Sequence, residues 1–286
     1  MLSRLLPALV ALLLAGPASA EPAMWVVESN GATVHFLGTV HALRPGTPWQ
    51  TPKIKKAFAA SDELWLEILE SDPDALRPVV RELGTDLAHP LSSKLTQAEL
   101  AQLNAAATEA GLGSEAALEP MRPWLAALTL EVLPLIKAGY DPREGVDVTL
   151  RAEAEAQRKP MHAFETVEQQ MHFFADLPPE TELDLLRSTL DEIAEGPAKV
   201  SAMVDAWEAG DTAGVEREIL DMQQRKYREL YTVLIVERNR AWAKAIAAMV
   251  ASGHGTIFIA VGAGHLVGPD SLPKALEQYG LKAVRE

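Results

Sequence analysis

The sequence predicts an α/β (or α+β) chain in which a central mixed sheet is formed from both ends, with a large helical block inserted between. Three observations lead there. Two short β-rich runs joined by Asn30-Gly31 lie near the start, and the most continuous apolar strand, Thr256-Ile-Phe-Ile-Ala-Val261, lies near the end. Between them, from Pro73 to Leu135, the pattern is helical. Glu21–Glu286 is therefore expected to be a single domain, with a core from 21–70 and 140–286 and a helical insertion at about 73–138.

In chain order, Met24 to Ser29 and Ala32 to Thr39 form a hairpin, because Asn-Gly suits a tight turn with positive φ at both central positions. A polar, proline-rich loop from Arg44 to Pro52 and a short helix from Lys53 to Ala60 follow. Glu63-Leu-Trp-Leu-Glu-Ile-Leu69 is apolar apart from its acids, which suits a strand covered on both faces. Within the helical block, Thr96 stands three residues before Glu99, the spacing of a capping box. Gln157-Arg-Lys159 ends a helix, and Pro160 to Glu165 is a second buried strand. Helices are expected at about 167–175, 179–194 and 198–209, with a long one from about Val215 to Ala251. After the strand at 256–261 come a helix from Leu272 to Tyr279 and a last strand at Lys282 to Arg285.

The first twenty residues carry one positive charge at Arg4, an apolar run from Leu5 to Ala15, a Gly16-Pro17 break and the small-residue ending Ala18-Ser-Ala20. These are the parts of a signal peptide cleaved after Ala20, and the run is too short to cross a bilayer. The expected location is extracytoplasmic, periplasmic or secreted, with no integral membrane segment after cleavage. There is no cysteine, so neither a lipid anchor on cysteine nor a disulfide is available. With 26 basic against 40 acidic residues the net charge is −14, a surface that repels nucleic acid and anionic lipid.

Two of the seven histidines share one local design. Gly38-Thr-Val-His41 and Gly262-Ala-Gly-His265 are both Gly-x-x-His at the point where a strand gives way to a loop. In an open α/β sheet ligands bind just beyond the carboxyl ends of strands, and the glycine allows a sharp turn and a close backbone approach. Two imidazoles and the carboxylate of Glu67 make a set that can hold a catalytic divalent metal such as Zn, Mn or Co. The residues alone equally allow each histidine to cap its strand by hydrogen bonding.

The chain resembles the TraB/PrgY/GumN family, whose animal relatives, the Tiki proteins, are metal-dependent peptidases that clip Wnt proteins. The likeness runs through Trp25-Val-Val-Glu-Ser-Asn-Gly31, Phe36-Leu-Gly-Thr-Val-His41, Leu64-Trp-Leu-Glu67, Gly145-Val-Asp147, Phe164-Glu-Thr-Val-Glu-Gln169, Arg238-Asn239 and Val261-Gly-Ala-Gly-His-Leu266. It implies that His41, Glu67 and His265 are the active-site or metal-binding set. It also implies a metal-dependent hydrolase, a peptidase acting on a peptide or protein substrate. The other reading is a non-catalytic extracytoplasmic protein that binds a peptide, pheromone or haem in the same cleft.

Arg238 adds to this set, because Tyr227, Leu230, Tyr231, Leu234, Arg238, Trp242 and Ala245 recur at helical steps and put its guanidinium in an apolar stripe. A buried arginine needs an acid or a ligand, and Glu67, Asp147 and Glu165 are the candidates. The alternative is an arginine snorkelling outward. Asp147 caps the helix that follows it or touches substrate, and Asn239 orients a neighbouring ligand or packs. Gly38 and Gly262 complete the expected second shell. His35, His89, His162, His172 and His254 read as structural or surface residues. No Gly-x-Ser-x-Gly occurs, which argues against the usual serine hydrolases.

Overall fold

In the computed structural model the described residues are 21–69, 73–218, 228–253 and 255–286. The expected signal segment, Tyr227 and His254 lie outside them. Six strands form one mixed sheet: β1 Met24–Ser29, β2 Ala32–Thr39, β3 Glu63–Leu66, β4 Met161–Ala163, β5 Thr256–Gly262 and β6 Val284–Arg285. Their order is β4-β3-β5-β2-β1-β6, so strands from the two ends of the chain lie side by side. β4, β3, β5 and β2 run parallel, and β1 turns back on β2 through Asn30 (φ 50°) and Gly31 (φ 79°). Both turn residues thus have the positive φ that the Asn-Gly pair predicts.

Side chains alternate across the sheet, and each face has its own cover. Phe258 and Ala260 of β5, with Leu37, Leu64 and Leu66, pack against Ile54 and Phe58 of α1 (Pro52–Ala60) and Leu150 and Ala154 of α5 (Val146–Gln157). Ile257, Ile259 and Val261, with Val34 and Phe36, face Trp242, Ile246 and Val250 of a long helix and Leu272 and Leu276 of a short terminal one, Leu272–Glu277. Burial of each large apolar side chain contributes about 1.5–3 kcal/mol.

A third core is helix on helix. Leu103 and Ala107 of α3 (Gln97–Ala110) and Trp124 and Leu130 of α4 (Pro123–Lys137) pack with Leu186 and Leu190 of α7 (Pro179–Glu192). The Thr96–Glu99 capping box opens α3 as expected. α2 (Pro73–Gly84) and α6 (Val167–Ala175) complete this side, while α8 (Gly196–Glu208) packs Val204 and Trp207 into the first sheet core.

Four details differ from the sequence expectation. β3 stops at Leu66 instead of Leu69, so Glu67 stands just past the strand, although Glu165 N–H still donates to Glu67 O at 2.9 Å. β4 is an edge strand of three residues with His162 exposed, because no strand lies beyond it. The last strand is two residues long. The long helix, α9, begins among the described residues at Arg228–Tyr231, passes through a π-helical turn at Thr232–Glu237 and continues as Arg238–Ala251. Such a turn inserts a residue into the helical repeat and is common at functional sites.

The start of α5 is pinned to the end of β2. Val146 N–H donates to Val40 O at 3.1 Å, and a Cβ on Gly145 would lie 2.5 Å from His41 O and 3.0 Å from His41 C. Both obstacles are backbone, which cannot swing aside. Gly145→Ala should therefore lower stability by about 1–3 kcal/mol, read as a lower urea midpoint with an unchanged slope. An unchanged midpoint would mean that this junction is loose.

Candidate active site at the carboxyl edge of the sheet

The four parallel strands end along one edge of the sheet, and each hands on a polar residue there. His41 follows β2, Glu67 follows β3, Glu165 follows β4 and His265 follows β5. His265 sits on a short turn, Ala263–Leu266. Neither glycine of the paired motifs has positive φ, so their use is close approach. A Cβ on Gly38 would lie 3.0 Å from Ala263 Cα, which means that the first motif backs onto the second.

Arg238 is 9% exposed and enters from α9. Its Nη2 donates to Glu67 Oε2 and, at 2.9 Å, to Glu165 Oε2, while Nε donates to Glu165 Oε1 at 2.9 Å. The guanidinium is therefore paired with two carboxylates and does not snorkel outward. Gln170 Nε2 donates to Glu67 Oε2 at 3.1 Å and to Glu165 Oε2 at 3.0 Å, and Trp242 Nε1 donates to Glu165 Oε1 at 3.0 Å. Burial alone would raise the pKa of Glu67, but His265, Arg238 and His41 beside it and the Gly262 N–H at 2.7 Å pull it down to about 2. Glu67 is thus ionised at any ordinary pH.

His265 is almost wholly buried. Asn239 donates through Nδ2 to Asp270 O at 2.8 Å, which leaves its Oδ1 to accept from His265 Nδ1 at 2.8 Å. That contact puts the ring proton on Nδ1 and a lone pair on Nε2, which faces Arg238 Nη1 at 3.1 Å and lies 3.8 Å from Glu67 Oε1. Burial, with Arg238 and His41 adding to it, pushes the pKa of His265 down to about 3 against the attraction of Glu67. Asn239 thus orients a site residue, as one of its two readings expects.

His41 contrasts with it, its side chain 65% exposed. Its Nδ1 meets Asp147 Oδ1 at 3.1 Å. Asp147 lies in the first turn of α5, after the cap position Gly145, so it holds the imidazole and does not cap the helix. Desolvation works against the charged ring, but the hydrogen bond to Asp147 and the charges of Asp147 and Glu67 outweigh it and raise its pKa to about 9. Water reaches the ring and screens these charges.

Gly262 marks where the set converges. A methyl there would stand 3.2 Å from Glu67 Oε1, 3.7 Å from His265 Cδ2 and 3.7 Å from His41 Nε2. This small cradle and the donor types, two imidazoles and a carboxylate, fit a divalent metal. Among the described residues, however, no three such side chains already stand at metal-binding spacing, and Arg238 occupies the His265 lone pair.

A larger space lies on the far side of the ring that covers Arg238. It is a cavity of about 920 Å³ between α6 and the π-turn of α9. Phe173 lines it and also covers Arg238, with its ring 5.4 Å from the guanidinium carbon. The sequence reading missed Gln170, Trp242 as a hydrogen-bond donor, and Phe173. The spacing of Trp242 four residues after Arg238 was a usable signal, whereas nothing local distinguished Gln170.

The sequence profile of the TraB/PrgY/gumN family matches residues 23–285, nearly the whole chain, and the protein belongs to that family. No curated protein and no solved structure matches it.

Two outcomes follow from the geometry. Arg238→Met and Arg238→Ala should both cost about 3 kcal/mol or more, because each strands Glu67 and Glu165 without their cation. Tolerance of the methionine in thermal unfolding would mean that only the packed stem matters. The second concerns acid. The folded pKa of His265 lies below its unfolded value, so the unfolded chain binds the extra proton between about pH 6.5 and 3. Stability should fall by up to about 1.4 kcal/mol per pH unit as pH drops through that window. His265→Gln should flatten the slope of the melting temperature between pH 6.5 and 4.5. An unchanged slope would rule out His265 as its source.

Proposed function

We propose that this member of the TraB/PrgY/gumN family is an extracytoplasmic hydrolase of peptide or protein substrates, working at the cradle over Gly262. The observation that carries the reading is the division of protonation states around that point. Glu67 is held as an anion and His265 as a neutral imidazole, both poor bases, while His41 is the group free to carry a proton. Environments that push neighbouring pKa values apart are how one site assigns acid and ligand roles. The extracytoplasmic part of the reading rests on the signal-like sequence of residues 1–20.

The roles follow from the geometry. Asp147 fixes the orientation of His41, whose Nε2 faces the cradle; without a metal that nitrogen can carry a proton, and with one bound it would be a ligand instead. Asn239 fixes the tautomer of His265, and Arg238 with Gln170 keeps Glu67 and Glu165 in place. A divalent metal, Zn, Mn or Co, would be held by His41, His265 and Glu67, where it would lower the pKa of water and polarise a carbonyl.

Calorimetric titration with these three metals, alongside hydrolysis of a fluorogenic peptide set, tests the reading. Wild type should take up one metal, and His41→Ala and His265→Ala should lose both uptake and hydrolysis while remaining folded. A proton on His41 competes with the metal, so affinity should fall up to tenfold per pH unit below about 9. Gly262→Ala puts a methyl in the cradle 3.2 Å from Glu67 Oε1 and should abolish hydrolysis, with the shift forced on Glu67 read separately as a lower melting temperature. Equal uptake by all variants would remove the ligand set, and absence of hydrolysis with every metal would leave a binding protein.

A further inference from the structure

We propose that the cavity between α6 and the π-turn of α9 is the subsite that seats a substrate segment carrying an apolar side chain next to a lysine or arginine. This deepens the hydrolase reading and rests on it. The space is large enough for several residues of a peptide. Its floor is apolar, made by Phe173, Leu177 and Val233, while Glu168, Asp176 and Glu229 stand exposed on the rim. Glu229 accepts from the Thr181 hydroxyl at 2.9 Å, a contact that leaves its charge in place. The opposing groups are Arg228 and His172, the latter 3.1 Å from Asp176, so acid remains in excess at the mouth. The net charge of −14 favours approach of cationic segments over longer range.

Position ties this cavity to the chemistry. Gln170, three residues before Phe173 on α6, holds Glu67 and Glu165. The opposite wall, Thr232 and Val233, belongs to the turn that delivers Arg238. Both walls therefore end in the site. Phe173 stands between cavity and site, in the cavity wall on one side and with its ring 5.4 Å from the Arg238 guanidinium carbon on the other. A segment lying in the cavity would present a neighbouring peptide bond to the cradle.

Fluorescence anisotropy with two labelled hexapeptides, identical except for Leu-Lys against Leu-Glu, tests the assignment on the purified protein. Wild type should bind the lysine peptide at least tenfold more tightly at low salt, and added salt should shrink the difference. Glu168→Lys alters an exposed side chain and leaves the fold intact; it should abolish or reverse the preference. Val233→Trp should weaken both peptides at least tenfold, with folding checked by circular dichroism. The assignment is overturned if wild type binds neither peptide, binds both equally, or keeps its preference in Glu168→Lys. Binding as expected with no cleavage would remove the hydrolase reading and leave a peptide-binding groove. Cleavage that is indifferent to both variants would keep the hydrolase reading and remove the subsite.

Discussion

The guanidinium of Arg238 between Glu67 and Glu165 is the contact on which the rest of the site depends. All three side chains are nearly removed from water, at 9%, 11% and 8% exposure, and ions so placed need close partners to offset lost hydration. Two carboxylates against one cation leave an excess negative charge. Gly262 N–H, Gln170 and Trp242 Nε1 spread that charge, and Glu67 adds to the pull of Asp147 that favours a proton on His41. His265 answers in the opposite sense, since it shares the burial but faces the cation and stays neutral. The contrasting states of the two histidines therefore follow from Asp147 on the exposed His41 and from burial beside Arg238 at His265.

The sheet supplies the rigidity this arrangement needs. His41, Glu67, Glu165 and His265 each leave a different strand within a few residues of its end, so none of the four depends on a long loop for its place. The close approach at Gly38 and Gly145 fixes the ends of β2 and α5 against their neighbours. Asp147 and His41 then come together because α5 begins where β2 stops.

Much of this was legible in the sequence where local chemistry decides. Asn30-Gly31 determines its turn, the continuous apolar run of Thr256 to Val261 needs cover on both faces, and the Arg238 stripe requires a partner for a buried cation. Other parts depend on tertiary contacts that leave no local pattern. The π-turn before Arg238 interrupts an otherwise regular helical spacing. Asp147 precedes its helix in a way that suits a cap, and only the arrival of His41 gives it another role. Gln170 belongs to a helix face like any other until Glu67 and Glu165 meet it. β3 ends at Leu66 although β5 beside it runs on to Gly262.

The strand order β4-β3-β5-β2 has a consequence in time. β2 and β3 are made early, yet they never pair with each other, because β5 from the far end of the chain occupies the place between them. During synthesis the first strands must wait, without their central neighbour, until almost the whole polypeptide exists. Contacts of such long sequence separation are slow to form. The site cannot assemble ahead of the chain's completion, since His265 and the amide that holds Glu67 arrive on that last strand and the turn after it. A ribosome-bound fragment lacking β5 holds His41 and Glu67 with neither His265 nor the Gly262 amide beside them, so the topology delays assembly of the cluster until the final segment is delivered.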